Sequence, residues 1–258
     1  MYKTLTFGEK GGVGTITLNR PERLNAISYE TNDELTELLG EIEKSDEIKV
    51  VIITGEGRAF CAGADIKAIQ EDPDKYSFIG LGKDLPMFNK LADLPKPTVA
   101  AINGPANGGG LEVALACDFR IAAENASFGL GEIKIGVLPM GGGTVRLPRL
   151  VGIAKAKEMI LLGEIIDAQE AYKIGLVNKI VPLESLITEC EELANALASR
   201  PAVAVRVGKS CIDIGMNMSR FDALEYEVKS VATLWNTEDR TEGMNAFVER
   251  RQPVFKGR

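Results

Sequence analysis

The chain contains no histidine. Histidine is the side chain whose unperturbed pKa lies near neutrality, so proton transfer at neutral pH must fall to Glu, Asp, Lys, Tyr or Cys. Its four cysteines, Cys61, Cys117, Cys190 and Cys211, show no CxxC spacing. With no histidine to complete a ligand set, a zinc site is not expected. Each cysteine sits among apolar neighbours and reads as a small buried hydrophobe. Cys61 lies in a Gly/Ala loop but lacks the adjacent base that a cysteine nucleophile requires. Basic residues are the minority, 30 against 37 acidic, for a net charge of −7. That argues against a nucleic-acid binder, which would carry a basic face. No apolar run approaches the ~18 residues that mark a membrane span. Met1-Tyr2-Lys3-Thr4 opens on strand-like sequence without a signal-peptide pattern, so a cytoplasmic protein is the expectation. Neither a GxGxxG fingerprint nor a GxxxxGK[ST] loop is present, which disfavours dinucleotide-dependent hydride transfer and phosphoryl transfer.

What is present is ordinary globular material, 45% hydrophobic and 26% charged, which excludes disorder and coiled coil. A length of 258 residues fits one large domain or a domain with a helical extension. Residues 3–18 read as a hairpin turning at Gly11-Gly12. A helix is predicted from about Ser28 to Lys44, with Leu35, Leu38, Leu39 and Ile42 at helical spacing. Val50 to Thr54 and Thr98 to Ile102 are unbroken apolar runs, the signature of strands covered on both faces. Phe119 to Ala122 reads as a further strand, and short helices are predicted from Asp65 and from Leu111. Alternating strands and helices predict an α/β fold with covered sheets. The polar, glycine-punctuated stretch 71–85 is the expected mobile segment. From about Lys155 onward the pattern turns mostly helical, with apolar periodicity near 184–199, 202–214, 220–235 and 241–251. The expected division is a core over 1–195 and a helical oligomerisation region over 196–258.

Two acids stand apart from the rest. Glu112 follows Asn107-Gly108-Gly109-Gly110-Leu111, and Glu132 follows Phe128-Gly129-Leu130-Gly131. A glycine bend lets backbone approach a ligand, and a carboxylate just beyond it can reach the same ligand. Two carboxyls in one apolar pocket divide acid and base roles when their surroundings push their pKa values apart. The loop Phe60-Cys61-Ala62-Gly63-Ala64-Asp65 and the bend Gly108-Gly109-Gly110 each open a helix, whose first N–H groups are unpaired. Two such groups converging on one oxygen stabilise an oxyanion. A glutamate at a helix start also gains about 0.3–1 kcal/mol from the dipole with no chemistry involved. Asp118 reads as structural.

These segments resemble the crotonase (enoyl-CoA hydratase/isomerase) superfamily. Phe60 to Lys67 is similar to its AGAD loop, and Ala101 to Glu112 to its second signature. The likeness continues through Phe128 to Glu132, Gly136 to Pro139 and Gly141 to Leu147. With Thr15 to Ala26 and Glu242 to Phe247, it spans essentially the whole chain. The resemblance implies a crotonase-like spiral of ββα turns followed by a C-terminal helical trimerisation region. It implies a homotrimer or a dimer of trimers, an acyl-CoA substrate, and no cofactor beyond the CoA that substrate carries. The N–H groups of Ala64 and Gly109 are the implied oxyanion hole.

Hydratases of the family carry glutamates at both positions, whereas many isomerases keep one. Glu112 and Glu132 together therefore favour enoyl-CoA hydratase over Δ3–Δ2 isomerase. A catalytically idle acyl-CoA-binding scaffold is the reading from another class. In the implied reaction Glu112 takes a proton from water as it attacks C3, and Glu132 gives a proton to C2. The stretch Ala62, Asp65, Ile66 and Lys67, with Arg23, is the implied contact surface for CoA. The C-terminal cluster Arg250, Arg251, Lys256 and Arg258 could add positive charge from a neighbouring subunit. The 71–90 segment is expected to set acyl-chain length.

Overall fold

A computed structural model of the chain describes residues 2–74 and 86–258. Its first two strands, β1 (Leu5–Lys10) and β2 (Val13–Leu18), pair antiparallel across Gly11 and Gly12. Both turn glycines have positive φ, 62° and 84°, as a two-residue hairpin with the twist of its strands requires. The remaining partners of the main sheet run parallel: β3 (Val50–Gly55), β4 (Thr98–Ile102), β6 (Phe119–Ala123) and β9 (Lys179–Val181). The sheet order is β1-β2-β3-β4-β6-β9. Between β4 and β9 lie three short strands, β5 (Ala106–Asn107), β7 (Ser127–Gly129) and β8 (Ile165–Asp167), which form a second sheet in that order.

Every residue of β3 and β4 is buried, because helices cover both faces of the sheet. Val51, Ile53, Ala100 and Ile102 share one apolar cluster with Leu35, Leu38, Leu39 and Ile42 of the helix Tyr29–Lys44. That helix starts where Ser28 accepts the Thr31 N–H and Thr31 answers back to the Ser28 backbone, a reciprocal cap. The alternate residues Val50, Ile52, Val99 and Ala101 pack with Cys190 and Ala194 of the helix Leu186–Ala198. The division expected at residue 195 thus falls inside a helix that belongs to the sheet.

Beyond it, the helices Ala202–Gly215 and Arg220–Leu234 contain no buried residue. Phe221, Val228 and Trp235 are 74%, 69% and 58% exposed. A last helix, Glu238–Glu249, is held by the chain's tail, whose Lys256 and Gly257 amides donate to Asp239 at 2.6 and 2.8 Å.

The hairpin, the two covered strands and the four C-terminal helices stand where their sequence patterns put them. The region after Lys155 is less helical than its pattern suggests, since β8 and β9 interrupt it. Each has three residues, too few for a period of two to register. Of the stretch read as mobile, residues 75–85 lie outside the described residues, and so does much of the segment expected to set chain length. Its last part is a helix, Pro86–Ala92, with Met87, Phe88 and Leu91 buried. No helix among the described residues is long and apolar enough to cross a membrane.

Candidate active site

Three stretches of backbone meet beyond the ends of β3 and β4. The loop 60–65 lies between the entry loop 24–27 and the bend 105–107, bonded to each. On one side the Ala62 N–H donates to the Leu24 carbonyl at 3.0 Å, Ile27 N–H to Gly63 at 2.7 Å, and Asp65 N–H to Ile27 at 2.9 Å. On the other, Cys61 N–H reaches Pro105 at 3.1 Å and Asn107 N–H reaches Cys61 at 3.0 Å. The entry loop is fixed in turn by Asn25, whose side chain donates to the carbonyls of Glu56 and Ala59 at 2.9 and 2.8 Å. Asn25 itself holds a left-handed φ of 57°.

This lattice decides where two amides point. Ala64 is bridged to Ile27 through its neighbours, Gly63 and Asp65, so its own N–H faces away from residue 27. Gly109 is the first residue of the helix Gly109–Ala116, where the N–H has no intrahelical acceptor. Neither N–H donates to a protein group among the described residues. The two loops touch closely. A Cβ on Gly63 would come within 2.9 Å of the Asn107 carbonyl and 3.4 Å of the Gly109 nitrogen, and one on Gly109 would lie 3.7 Å from the Ala64 nitrogen. Gly110 is tighter still, since a Cβ there would meet the Cys61 carbonyl oxygen at 2.0 Å. Only hydrogen fits at that position.

Glu112 rises from the first turn of the same helix and is 3% exposed. Its Oε1 accepts the Gly143 N–H at 2.8 Å. Burial pushes its pKa up to about 7; the Gly143 N–H opposes this, the Glu132 charge adds to it, and the Gly141 N–H and Arg146 pull down. Glu132 opens the short 3-10 turn Glu132–Ile135. Its Oε1 lies against Gly108, where a Cβ would approach it to 3.1 Å. Gly108 has φ 52° and ψ −128°, a conformation closed to other residues. Burial raises the Glu132 pKa too, against a smaller pull from its own backbone N–H. Glu132 Oε2 and the neighbouring Asn107 Oδ1 are buried with no hydrogen-bond partner among the described residues. Leaving such an acceptor unsatisfied costs about 1–3 kcal/mol. Glu112, Glu132, Ala64 and Gly109 therefore converge on one place, as their sequence positions suggest.

The residues read as a CoA surface divide. Ala62 is half-buried, while Ile66, Lys67 and Arg23 are exposed on the rim of the loop. Asp65 is instead turned inward: its carboxylate caps the helix Ile66–Glu71 through the Ala68 N–H at 3.2 Å and pairs with Arg20 at 2.8 Å. Although burial works against it, these partners hold its pKa below the usual value. Three of the four C-terminal cations are engaged at home, Arg251 with Glu242 at 2.6 Å, and Lys256 and Arg258 with Glu238 at 3.4 and 3.2 Å. Asp118 is structural as expected, accepting from Thr98 and paired with Lys209 at 2.9 Å.

Sequence reasoning missed the groups that hold these parts. Gly143, Arg20 and Phe88 reach the site from elsewhere in the chain. A Cβ on Gly141 would strike the Phe88 ring at 2.6 Å, and one on Gly109 would touch it at 3.7 Å. The run Gly141-Gly142-Gly143 was the available signal, since three successive glycines mark a close approach of backbone.

A family model described as enoyl-CoA hydratase/isomerase matches residues 8–258. A short-chain-enoyl-CoA hydratase of Clostridium acetobutylicum is 41% identical over 97% of both chains. A crotonyl-CoA hydratase of Syntrophomonas wolfei is 37% identical over 98% of both. The crystal structure of an enoyl-CoA hydratase from Bacillus anthracis superposes with a TM-score of 0.93 at 40% identity, covering 99% of this chain and all of that one. These likenesses bear out the crotonase-like fold. Fold, coverage and identity agree that the chain belongs to the enoyl-CoA hydratase/isomerase family.

Proposed function

We propose that the protein is an enoyl-CoA hydratase, adding water reversibly to a trans-2-enoyl-CoA to give the 3-hydroxyacyl thioester. The observation that carries this reading is a buried carboxyl, Glu112, and a half-buried one, Glu132, both with raised pKa, beside two amides that find no acceptor among the described residues. Two carboxyls in different surroundings can divide the acid and base roles that hydration needs. The thioester oxygen takes the N–H groups of Ala64 and Gly109, which stabilise the enolate as it forms. Glu112 takes the proton as water attacks C3, the Gly143 N–H on its Oε1 supporting the ionised form against the burial that raises its pKa to about 7. Glu132, whose pKa burial also raises, delivers the proton to C2. The chemistry asks for no group beyond the CoA carried by the substrate. Lys67 and Arg23, exposed beside the amide loop, supply cations for its phosphates.

The C-terminal helices support assembly into a homotrimer or a dimer of such trimers. Two amphipathic helices with no buried residue need a partner surface, and a second copy of the chain is the one this family fold offers.

Incubation of the purified protein with crotonyl-CoA tests the reaction. Loss of the conjugated-thioester absorbance with formation of 3-hydroxybutyryl-CoA is expected. Conversion of a 3-enoyl-CoA to its conjugated isomer, with no water added to crotonyl-CoA, would replace this reading with an isomerase. Glu112→Gln and Glu132→Gln should each lower kcat by about 10²–10⁴ while acyl-CoA binding persists.

A further inference from the structure

Glu112 is held by a turn that has its own brace. The Gly143 N–H that meets its carboxylate belongs to Gly141-Gly142-Gly143, which leads into the helix Gly143–Val151. From that helix Arg146 folds back over the turn. Its Nη1 donates to the Gly141 carbonyl at 2.7 Å and its Nη2 to Asn89 Oδ1 at 2.9 Å. The turn is shaped around the guanidinium: Gly142 has φ 102°, and a Cβ there would overlap Arg146 Nη1 at 2.0 Å. Asn89 lies on the helix Pro86–Ala92, next to Phe88, whose ring packs on both Gly141 and Gly109. One planar fork thus ties together the turn that holds Glu112 and the helix that backs the Gly109 bend. Lysine could not copy this, because it lacks two parallel donors in a rigid plane.

We propose that Arg146, anchored on Asn89, is a positioning residue for Glu112, fixing both the direction and the acidity of its carboxyl through the Gly141–Gly143 turn. The role in turnover rests on the hydratase reading above; the role in holding Glu112 does not. Among the described residues, two charged groups bear on Glu112. Glu132 disfavours its ionisation and Arg146 favours it. Removing Arg146 deletes the favourable charge and loosens the Gly143 donor together, so Glu112 should release its proton at higher pH.

The test follows the Glu112 carboxyl carbon by ¹³C NMR in protein labelled at glutamate, assigned by its disappearance in Glu112→Gln, alongside the pH profile of crotonyl-CoA hydration. In Arg146→Met the Glu112 midpoint is expected to move up and the acid limb of kcat to follow it. The loss in kcat at neutral pH should be about tenfold or more with KM little changed, as befits a group displaced rather than deleted. Arg146→Lys should restore the midpoint in part but not the rate, since charge returns without the fork. Asn89→Leu, which leaves the arginine in place, should lower kcat in the same direction, and Asn89→Asp should recover most of that loss. An unmoved Glu112 midpoint in Arg146→Met, or unaltered kinetics in Asn89→Leu, overturns the proposal. A shifted midpoint in a protein that hydrates nothing would leave the brace standing and remove the hydratase reading instead.

Discussion

The sheet core and the C-terminal helices use the same apolar alphabet to opposite ends. In the core, Ile16, Ile53, Leu39 and Ile42 are 0% exposed, and both faces of β3 and β4 find their cover within the chain. In the helices Ala202–Gly215 and Arg220–Leu234, residues such as Phe221 and Val228 stand at 74% and 69% exposure. Fully burying such a side chain is worth about 1.5–3 kcal/mol, so leaving a row of them in water would be a standing cost. The contrast separates two jobs. The first region folds for itself and carries every group proposed for chemistry; the second leaves its apolar side chains uncovered within the chain.

The sharpest way to break that comparison is to truncate one residue on each side of it. Leu39→Ala, deep under β3, should lower unfolding stability by about 2–5 kcal/mol, read by denaturant melts. Val228→Asp should leave the secondary structure seen by circular dichroism intact while shifting sedimentation toward a smaller species. A Val228→Asp protein that keeps its assembled size would dissolve the distinction.

A second effect, of middle size, sits inside the core. Glu112 has its folded pKa raised to about 7 from its ordinary value of 4.5, so the native state keeps a proton that the unfolded chain has lost. Stability therefore falls as pH rises from about 4.5 through about 7. Glu112→Gln removes this penalty. Its thermal midpoint should exceed that of the parent at pH 8 and converge on it near pH 4. The gap at high pH should be on the order of 1–3 kcal/mol. A variant equally or less stable at pH 8 would mean that the carboxylate is not desolvated.

The smallest effect concerns Gly131, just before Glu132. Its φ of −92° suits any residue, and a Cβ there meets nothing within 4 Å. Gly131→Ala should add about 0.4–1 kcal/mol by restricting the unfolded chain. A loss of stability would show that this position needs glycine after all.

How much of this was legible in the sequence follows from the range of each contact. Gly108 to Glu112 and Gly129 to Glu132 are local, so the bends and acids announce themselves together. The C-terminal helices were legible by period, yet a periodic stripe does not say what covers it, and the structure turns theirs outward. The strands β5, β7, β8 and β9 were invisible because two or three residues cannot show alternation. Asp65 reads as part of a CoA contact surface until Arg20, far upstream, is folded onto it. The same distance hides Gly143 and Phe88, whose meaning depends on which turn the fold brings to Glu112 and Gly109.

The absence of histidine leaves this protein with acids whose working range is set by dryness rather than by kind. Neither carboxyl would titrate near neutrality in the open, so the cleft's ability to shed solvent is itself the control on its reactivity. Any change that wets the pocket, however far from the two side chains, should detune the pair without touching either one.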